Sequence, residues 1–387
     1  AESPGVFYVP VDLDDPRAAT LLQVVGAARA DHDIVVVAAH WGPNMVAEPL
    51  PTHPTFARAL AEAARVLRVG GLVAFPTETV YGLGAHALDE GAVRRVFTAK
   101  GRPPTNPLIV HVADASAARA LVRLWPPAAE RLASAFWPGP LTLVLPKQPA
   151  VPDAVTAGLP TVAVRVPAHP VAQALLRAAG LPVAAPSANR FTEISPTMAE
   201  HVVRSLGTAV DLVLDAGPTA VGIESAVVDL NTDPPRMLRP GVLPPEELAA
   251  IAGVPLQPPP APVPDDAPRA SPGLHRRHYA PRTEVRLWAS EHATSVAETL
   301  ASLRSHGVRI GVLWHRTPLE ADAVERLPDE PQGYARGLYA ALHRLDAANC
   351  QLLFIEDVPA TPAWLGVRDR LHRAAAPRNP RPDDALP

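Results

Sequence analysis

Residues 70–112 read GGLVAFPTETVYGLGAHALDEGAVRRVFTAKGRPPTNPLIVHV, and this stretch decides the fold. Residues 72–75 predict a short apolar strand that ends at Pro76, because proline cannot donate a ladder hydrogen bond. The loop expected next is rich in hydroxyls and closed by glycines, namely Thr77, Thr79, Tyr81, Gly82 and Gly84. Open α/β sheets bind ligands in such polar loops at the carboxyl ends of strands.

A helix is expected after this loop, with Asp89 as its N-cap and one apolar face. The helix brings Lys100 and Arg102 to its C-terminal end, and Asn106 follows shortly after. Two cations beside a hydroxyl-rich loop suit a polyphosphate. The next buried strand carries His111. The residues by themselves therefore predict an anionic ligand in an α/β cleft.

The composition limits the class of protein. The 387 residues are 48% hydrophobic and 19% charged, which indicates two or more globular domains. The net charge of −4 excludes an overall polycation that binds nucleic acid, so any basic site must be local. Cys350 is the single cysteine, which fits a cytoplasmic location. No apolar run approaches the roughly 18 residues of a membrane helix, so no membrane partner is expected.

An arginine and two further polar segments are candidates for the site. The segment TVAVRVP, residues 161–167, alternates like a strand with Thr161 and Arg165 on one face. Burying Arg165 is unfavourable unless it is paired, so it binds a ligand carboxylate or forms an internal ion pair. Ser187 and Asn189 can both face a ligand, although such triplets usually only make turns. Ser195 is expected to begin a helix, as a phosphate contact or simply as its N-cap.

These segments resemble the YrdC-like family, the threonylcarbamoyl-AMP synthases. The resemblance extends from about residue 55 to 375 and is carried by PTETVYGLG at 76–84, KGRPPTNPL at 100–108, IVHV at 109–112, SAN at 187–189 and GIESAV at 222–227. It implies an α/β fold, with a YrdC-like twisted mixed sheet and flanking helices around a basic cleft. A smaller C-terminal Rossmann-like α/β domain is expected to follow.

The resemblance also implies a reaction and its partners. L-threonine, bicarbonate and ATP would give threonylcarbamoyl-AMP and pyrophosphate, which makes the protein a nucleotidyltransferase with Mg²⁺ accompanying ATP. In the family a separate tRNA threonylcarbamoyl transferase uses the product to modify the adenosine beside the anticodon. That transferase is therefore an expected partner, and tRNA is an indirect one.

By the same resemblance, site residues are expected in three groups. The catalytic residues would be Lys100, Arg102, Ser187 and Asn189. ATP would be bound by Arg102, Asn106, Thr161, Ser187, Ser195, Arg239 and Tyr279. Threonine would be bound by Thr79, His111, Arg165, Ala185 and Ser225. No metal ligand is expected from the protein, and His111 would act as a base or as a simple hydrogen-bonding group.

Two segments depart from this pattern. Ala226 stands where the family has threonine, so a substrate contact is lost or the position only lines a strand. Residues 34–39 predict a strand, and ADHDIVVVAAHWGPNMV, residues 30–46, resembles a fragment of the CapA-like family, in which His40 would be a metal ligand. One ligand without partners makes no metal site, so we interpret His40 as the end of a strand.

The chain is expected to divide into five parts. Residues 1–53 would be an appendage, 54–253 the YrdC-like catalytic domain, and 254–283 a proline-rich linker. The end of this linker, SPGLHRRHYAP, resembles the active-site lid motif of the longer, two-domain synthases; without that resemblance it would be a plain linker. Residues 284–375 alternate strand and helix, which predicts a small α/β domain with a parallel sheet. Residues 376–387 would be a disordered tail.

Two other functions compete with this interpretation. An RNA-binding module would use the basic cleft, but the charge balance and the lack of interleaved aromatic residues argue against it. A carbamoyl-phosphate-dependent carbamoyltransferase has a related domain, but the additional modules of such proteins are missing from this sequence.

Overall fold

The computed structural model describes residues 35–38, 54–260 and 271–377. In the first half of the chain the strands are β1 (Val35–Ala38), β2 (Val73–Pro76), β3 (Tyr81–His86), β4 (Ile109–His111), β5 (Leu141–Pro146), β6 (Thr161–Arg165), β7 (Val183–Ala184), β8 (Leu212–Asp215), β9 (Ala226–Asp229) and β10 (Arg236–Arg239). The helices of this half are α1 (Pro54–Arg68), α2 (Glu90–Lys100), α3 (Ala115–Arg119), α4 (Pro127–Phe136), α5 (Asp153–Thr156), α6 (Pro170–Ala179), α7 (Ala199–Leu206) and α8 (Pro245–Ala252).

These strands form one sheet of ten in the order β1-β8-β2-β3-β7-β4-β6-β5-β9-β10. The sheet is mixed, because β4 runs parallel to β6 but antiparallel to β7. Successive residues of β2 face opposite sides of the sheet: Phe75 packs with α1 and α6, whereas Ala74 belongs to the core under α2, α4 and α7. Helices on both faces thus bury the sheet, as expected for a mixed α/β fold.

The second half of the chain forms a smaller sheet. Its elements are β11 (Glu284–Trp288), α9 (Ala293–Ser305), β12 (Ile310–Trp314), β13 (Ala323–Arg326), α10 (Pro331–Ala347), β14 (Leu352–Glu356) and α11 (Leu365–Ala374). The strand order is β11-β14-β12-β13 and every pair is parallel. The parallel α/β arrangement is confirmed, while β13 and α11 had not been predicted.

Three local predictions can be compared with the structure. The strand expected over residues 34–39 is present as β1, which pairs parallel with β8. The hydroxyl-rich loop was predicted too long, because Tyr81 already begins β3 and the sequence folds as a hairpin. The helix expected at Ser195 begins only at Ala199, and its N-cap residue is Met198.

Some predictions lie outside the described residues. His40, most of the N-terminal segment, residues 261–270 of the linker and the tail beyond residue 377 are among them. The predicted domain boundaries therefore stay predictions. In the part of the chain that the structure covers, no helix is long and apolar enough to cross a membrane.

Candidate active site

The hairpin between β2 and β3 holds the first hydroxyls of the site. The hydroxyl of Thr77 donates to the carbonyl of Val80 at 2.6 Å and lies 2.8 Å from the hydroxyl of Thr79. These bonds close a tight turn of residues 77–80 instead of an open loop. Gly84 follows in β3, where a Cβ atom would lie only 2.8 Å from the Phe75 ring and the Val183 side chain.

Two predicted threonine contacts, His111 and Arg165, are cross-strand neighbours on the parallel strands β4 and β6. The guanidinium of Arg165 donates from Nη2 to Glu78 Oε1 at 2.5 Å and from Nε to the carbonyl of Gly139 at 3.3 Å. The side chains of Arg165 and Glu78 are only 4% and 10% exposed. The internal ion pair, one of the two interpretations of Arg165, is therefore present.

His111 is a neutral imidazole in this environment. Burial and the nearby charge of Arg165 lower the pKa of His111 to about 3. Its Nδ1 atom is buried and has no hydrogen-bond partner within the described part of the chain. A polar group of a ligand would satisfy this atom.

Helix α2 delivers Lys100 to a loop that follows β7. The helix is capped by Asp89, whose carboxylate accepts from the backbone N–H groups of Gly91 and Ala92, as predicted. The Lys100 ammonium donates to the backbone carbonyls of Ser187 and Asn189. Burial, with a further contribution from the charge of Arg102, holds the pKa of Lys100 well below its usual value.

Direct contacts therefore connect three of the four residues expected to be catalytic, namely Lys100, Ser187 and Asn189, but not Arg102. Lys100 meets the serine and the asparagine through their backbone carbonyls, while Arg102 donates to the carbonyls of Asn106 at 3.2 Å and Pro107 at 2.8 Å. Burial lowers the pKa of Arg102 to about 9. Two buried cations with pKa values below normal would be stabilised by a polyphosphate.

The lid segment closes over these groups. Nδ2 of Asn106 lies 3.1 Å from Nε2 of His275, and Arg239 donates from Nη1 to the carbonyl of Pro272 at 3.3 Å. Tyr279 is 1% exposed. The cavity left beneath the lid measures about 40 Å³, enough for a few water molecules at most. A larger ligand does not fit into the cavity at this volume.

The cavity gathers most of the predicted site. The predicted residues that line it are Thr79, Arg102, His111, Arg165, Ala185, Ser187, Arg239 and Tyr279. Others form hydrogen bonds with lining residues and do not line the cavity themselves: Lys100, Asn106, Asn189, Ser195 and Ser225. Thr161 lies apart, four residues before Arg165 on β6 and about 13 Å along the strand.

The structure distinguishes between the two interpretations that the sequence allowed for Ser195 and for Ala226. The hydroxyl of Ser195 donates to Glu224 Oε1 at 2.6 Å, so Ser195 is not an N-cap. The side chain of Ala226 is buried in the main core and does not line the cavity. Of the two interpretations of this position, the structure supports a residue that only lines a strand.

Two carboxylates of the site were missed from the sequence. Glu78 pairs with Arg165, and Glu224 pairs with Arg370 of α11 at 2.8 Å. Both acids lie inside motifs that had been recognised, PTETVYGLG and GIESAV. That signal could have identified them, but their partners stand 87 and 146 residues away in sequence.

The site does not fit a resident metal ion. Among the described residues no group of three histidine, cysteine or acidic side chains is arranged to hold one. Among the described residues that line the cavity, Glu224 is the acidic one, and it already forms an ion pair with Arg370.

Buried cations beneath a lid, on an open α/β sheet, define a protein that binds an anionic ligand. Residues 65–241 match the family described as "Telomere recombination", and residues 243–376 match the "Threonylcarbamoyl-AMP synthase, C-terminal domain". The chain is 43% identical over 320 residues to the threonylcarbamoyl-AMP synthase of Pyrococcus abyssi, which covers 82% of this chain and 94% of the relative. The Bacillus subtilis enzyme of that name is 41% identical, covering 82% and 93%.

A solved structure agrees with these relatives. The crystal structure of P. abyssi Sua5 complexed with L-threonine superposes with a TM-score of 0.80 at 40% identity, covering 88% of this chain and 97% of that one. The chain therefore belongs to the threonylcarbamoyl-AMP synthase family. The expected family and fold class are confirmed.

Proposed function

We propose that the protein is an L-threonylcarbamoyladenylate synthase, a nucleotidyltransferase that acts in the cytoplasm on L-threonine, bicarbonate and ATP. The observation that carries the proposal is the cluster of buried arginines under the lid, with His111 beside them, in a chain of this family. The lone cysteine supports the cytoplasmic location. The product would serve a separate transferase that modifies tRNA.

The chemistry divides into two steps. The amine of threonine loses a proton and attacks bicarbonate, which gives a carbamate and water. A carbamate oxygen then forms a bond to the α-phosphorus of ATP while the bond to the β-phosphate oxygen breaks, and pyrophosphate leaves. Such a transfer needs positioning and charge neutralisation rather than covalent help from the protein.

The role proposed for each residue follows from its surroundings in the structure. Lys100 and Arg102 would neutralise the triphosphate and the departing pyrophosphate, and Mg²⁺ would enter bound to ATP. Arg165 would bind the carboxylate of threonine with the edge that Glu78 leaves available, because its Nη1 atom forms no hydrogen bond within the described residues. His111 would accept a hydrogen bond at Nδ1.

The proposal is tested by measuring pyrophosphate release from ATP and bicarbonate with L-threonine, with L-serine and with no amino acid. We expect release that depends on threonine and is lost in Lys100→Met. Release that ignores threonine while carbamoyl phosphate is consumed would favour the carbamoyltransferase. Salt-dependent RNA binding without ATP turnover would favour the RNA-binding module.

A further inference from the structure

Arg370 of α11 joins the smaller half of the protein to the GIESAV motif. Its side chain is fully buried, and its Nε atom donates to Glu224 Oε2 at 2.8 Å. Nη2 donates to the backbone carbonyl of Glu224 at 3.3 Å, and Nη1 donates to that of Pro240 at 2.8 Å. One guanidinium thus holds both the side chain and the backbone of a residue that borders the cavity.

The carboxylate of Glu224 has three hydrogen-bonding partners. Besides Arg370, it accepts hydrogen bonds from the hydroxyl of Ser195 at 2.6 Å and from that of Tyr339 in α10 at 3.0 Å. Burial raises the pKa of Glu224, but the charges of Arg370 and Arg239, together with the hydrogen bonds from Arg370 and Ser195, outweigh this effect and leave the pKa below its ordinary value. Glu224 is therefore an anion at neutral pH.

Arg370 also supports the lid. Its guanidinium carbon lies 5.2 Å from the centre of the Tyr279 ring, within cation–π range, and the Tyr339 ring lies 5.9 Å from Tyr279 on centroids. Burial raises the pKa of Tyr279, and the charge of Glu224 adds to that effect. The closed position of Tyr279 thus depends on two side chains of the smaller half.

The backbones of the two halves approach so closely that side chains are excluded. A Cβ on Gly222 would lie 2.3 Å from the carbonyl oxygen of Ala335 in α10, and a Cβ on Gly366 would lie 2.2 Å from that of Gly241. Gly222 in turn donates its N–H to the carbonyl of Thr79 at 3.1 Å. The contact therefore continues from α10 to the hairpin of the cavity.

We propose that Arg370, with Tyr339, is a positioning residue of the synthase site, through which the smaller domain holds Glu224 and the lid residue Tyr279. This inference rests on the proposed function. Arg370 balances the charge of Glu224, an acid that borders a site for a triphosphate. Without Arg370, Glu224 would be a buried charge without its ion-pair partner, and neither Glu224 nor Tyr279 would be held in position, because the hydrogen bonds and the cation–π contact of the guanidinium are lost.

The test compares Arg370→Met with the double variant Arg370→Met/Glu224→Gln. We expect Arg370→Met to lower kcat/KM for ATP at least tenfold, mainly through KM, and to lower the unfolding midpoint because Glu224 is left unpaired. The double variant removes that unpaired charge, so its midpoint should recover while kcat/KM stays low. Recovery of kcat/KM together with the midpoint would show a merely structural role and overturn the proposal.

Two further variants complete the experiment. Tyr339→Phe removes one hydroxyl and its hydrogen bond to Glu224, and it tests the same positioning role if Arg370→Met fails to fold. We expect at least a threefold higher KM for ATP and a smaller fall in the unfolding midpoint than in Arg370→Met. An unchanged KM would contradict the proposal. The control is Arg344→Met, in the same helix as Tyr339, which breaks an ion pair at the surface with Glu325 of β13; its KM for ATP should stay within twofold of wild type. An inactive wild type would refute the proposed function instead of this inference.

Discussion

Arg165 and Glu78 form an ion pair in which Nη2 lies 2.5 Å from Oε1, beside the cavity and almost out of contact with solvent. A second hydrogen bond to Glu78, from the backbone N–H of Ala168 at 3.0 Å, holds the carboxylate from the other side. The pair fixes the plane of the guanidinium before any ligand arrives. Arg165 can therefore be fixed internally and still bind a ligand through its remaining edge.

This arrangement predicts how threonine binding depends on Arg165. A variant with both Arg165→Gln and Glu78→Gln leaves no unpaired buried charge, so it should fold. Loss of a charge-assisted hydrogen bond of about 1.5–3 kcal/mol should raise KM for threonine about 10- to 100-fold. KM for ATP should change little. Steady-state kinetics in both substrates measures the two constants.

Glu78→Gln is the matched control, because it keeps the guanidinium and replaces only its partner. Its KM for threonine should stay well below that of the double variant. Equal values of this KM in the double variant and the wild type would show that Arg165 is solely an internal ion pair.

His111 should act as a hydrogen-bond acceptor and not as a base. With a pKa lowered to about 3, the imidazole is neutral throughout the neutral range and gives little driving force for proton abstraction. His111→Gln should lower kcat/KM about 2- to 10-fold, the effect of one neutral hydrogen bond. The pH profile of kcat/KM between pH 6 and 8 should keep its shape. If kcat/KM of the wild type changes with pH in this range and kcat/KM of the variant does not, His111 is a base.

ATP binding should be accompanied by proton uptake at Lys100. Its pKa is held well below the usual value by burial and by Arg102, and a triphosphate would raise it again because the opposite charge favours the ammonium. Calorimetry in buffers of different ionisation enthalpy should show uptake that grows as the pH rises through the pKa of the free protein. Lys100→Met should abolish this uptake. Lys147→Met, which removes the salt bridge to Asp153, should leave it intact.

The protein should lose stability in mild acid through a stacked histidine pair. The rings of His201 in α7 and His343 in α10 are 3.7 Å apart, and their pKa values are lowered, mainly by burial, to about 3 and about 4. Both values lie below the ordinary 6.5, so the unfolded chain binds more protons below pH 6.5. Stability from these groups is complete above pH 6.5 and falls as the pH drops towards 4.

Urea unfolding at several pH values measures this loss. Each histidine contributes a slope of up to about 1.4 kcal/mol per pH unit. His201→Gln should reduce the slope between pH 6 and 4, whereas His306→Gln, at an exposed position, should not. An unchanged slope in His201→Gln would show that this histidine is not buried in its neutral form.

Much of the fold could be predicted because its signals are local. Asp89 caps α2 through its own side chain, and the apolar face of α10 follows from residues three and four positions apart. Strand β13 was missed since its residues are only half-buried or exposed at the edge of the sheet. Helix α11 was missed because its sequence is strongly charged and one of those charges, Arg370, is buried.

The site was harder to predict in detail. The motif residues could be identified, and most of them meet at one cavity, but their contacts depend on partners distant in sequence. Glu224 contacts Arg370, 146 residues away, and no local pattern indicates that pairing. The small cavity could not be predicted either, because it depends on how the lid packs against Arg239.

The central claim, that the protein joins threonine, bicarbonate and AMP, is tested most directly by detecting the product. The protein would be incubated with ATP, Mg²⁺, L-threonine and either ordinary or ¹³C-labelled bicarbonate, and the mixture would be analysed at once by mass spectrometry. We predict an adduct with the mass of threonylcarbamoyl-AMP whose mass increases by the labelled carbon and which is missing with Lys100→Met. Hydrolysis of ATP without any labelled adduct, by a folded protein that binds threonine, would contradict the account.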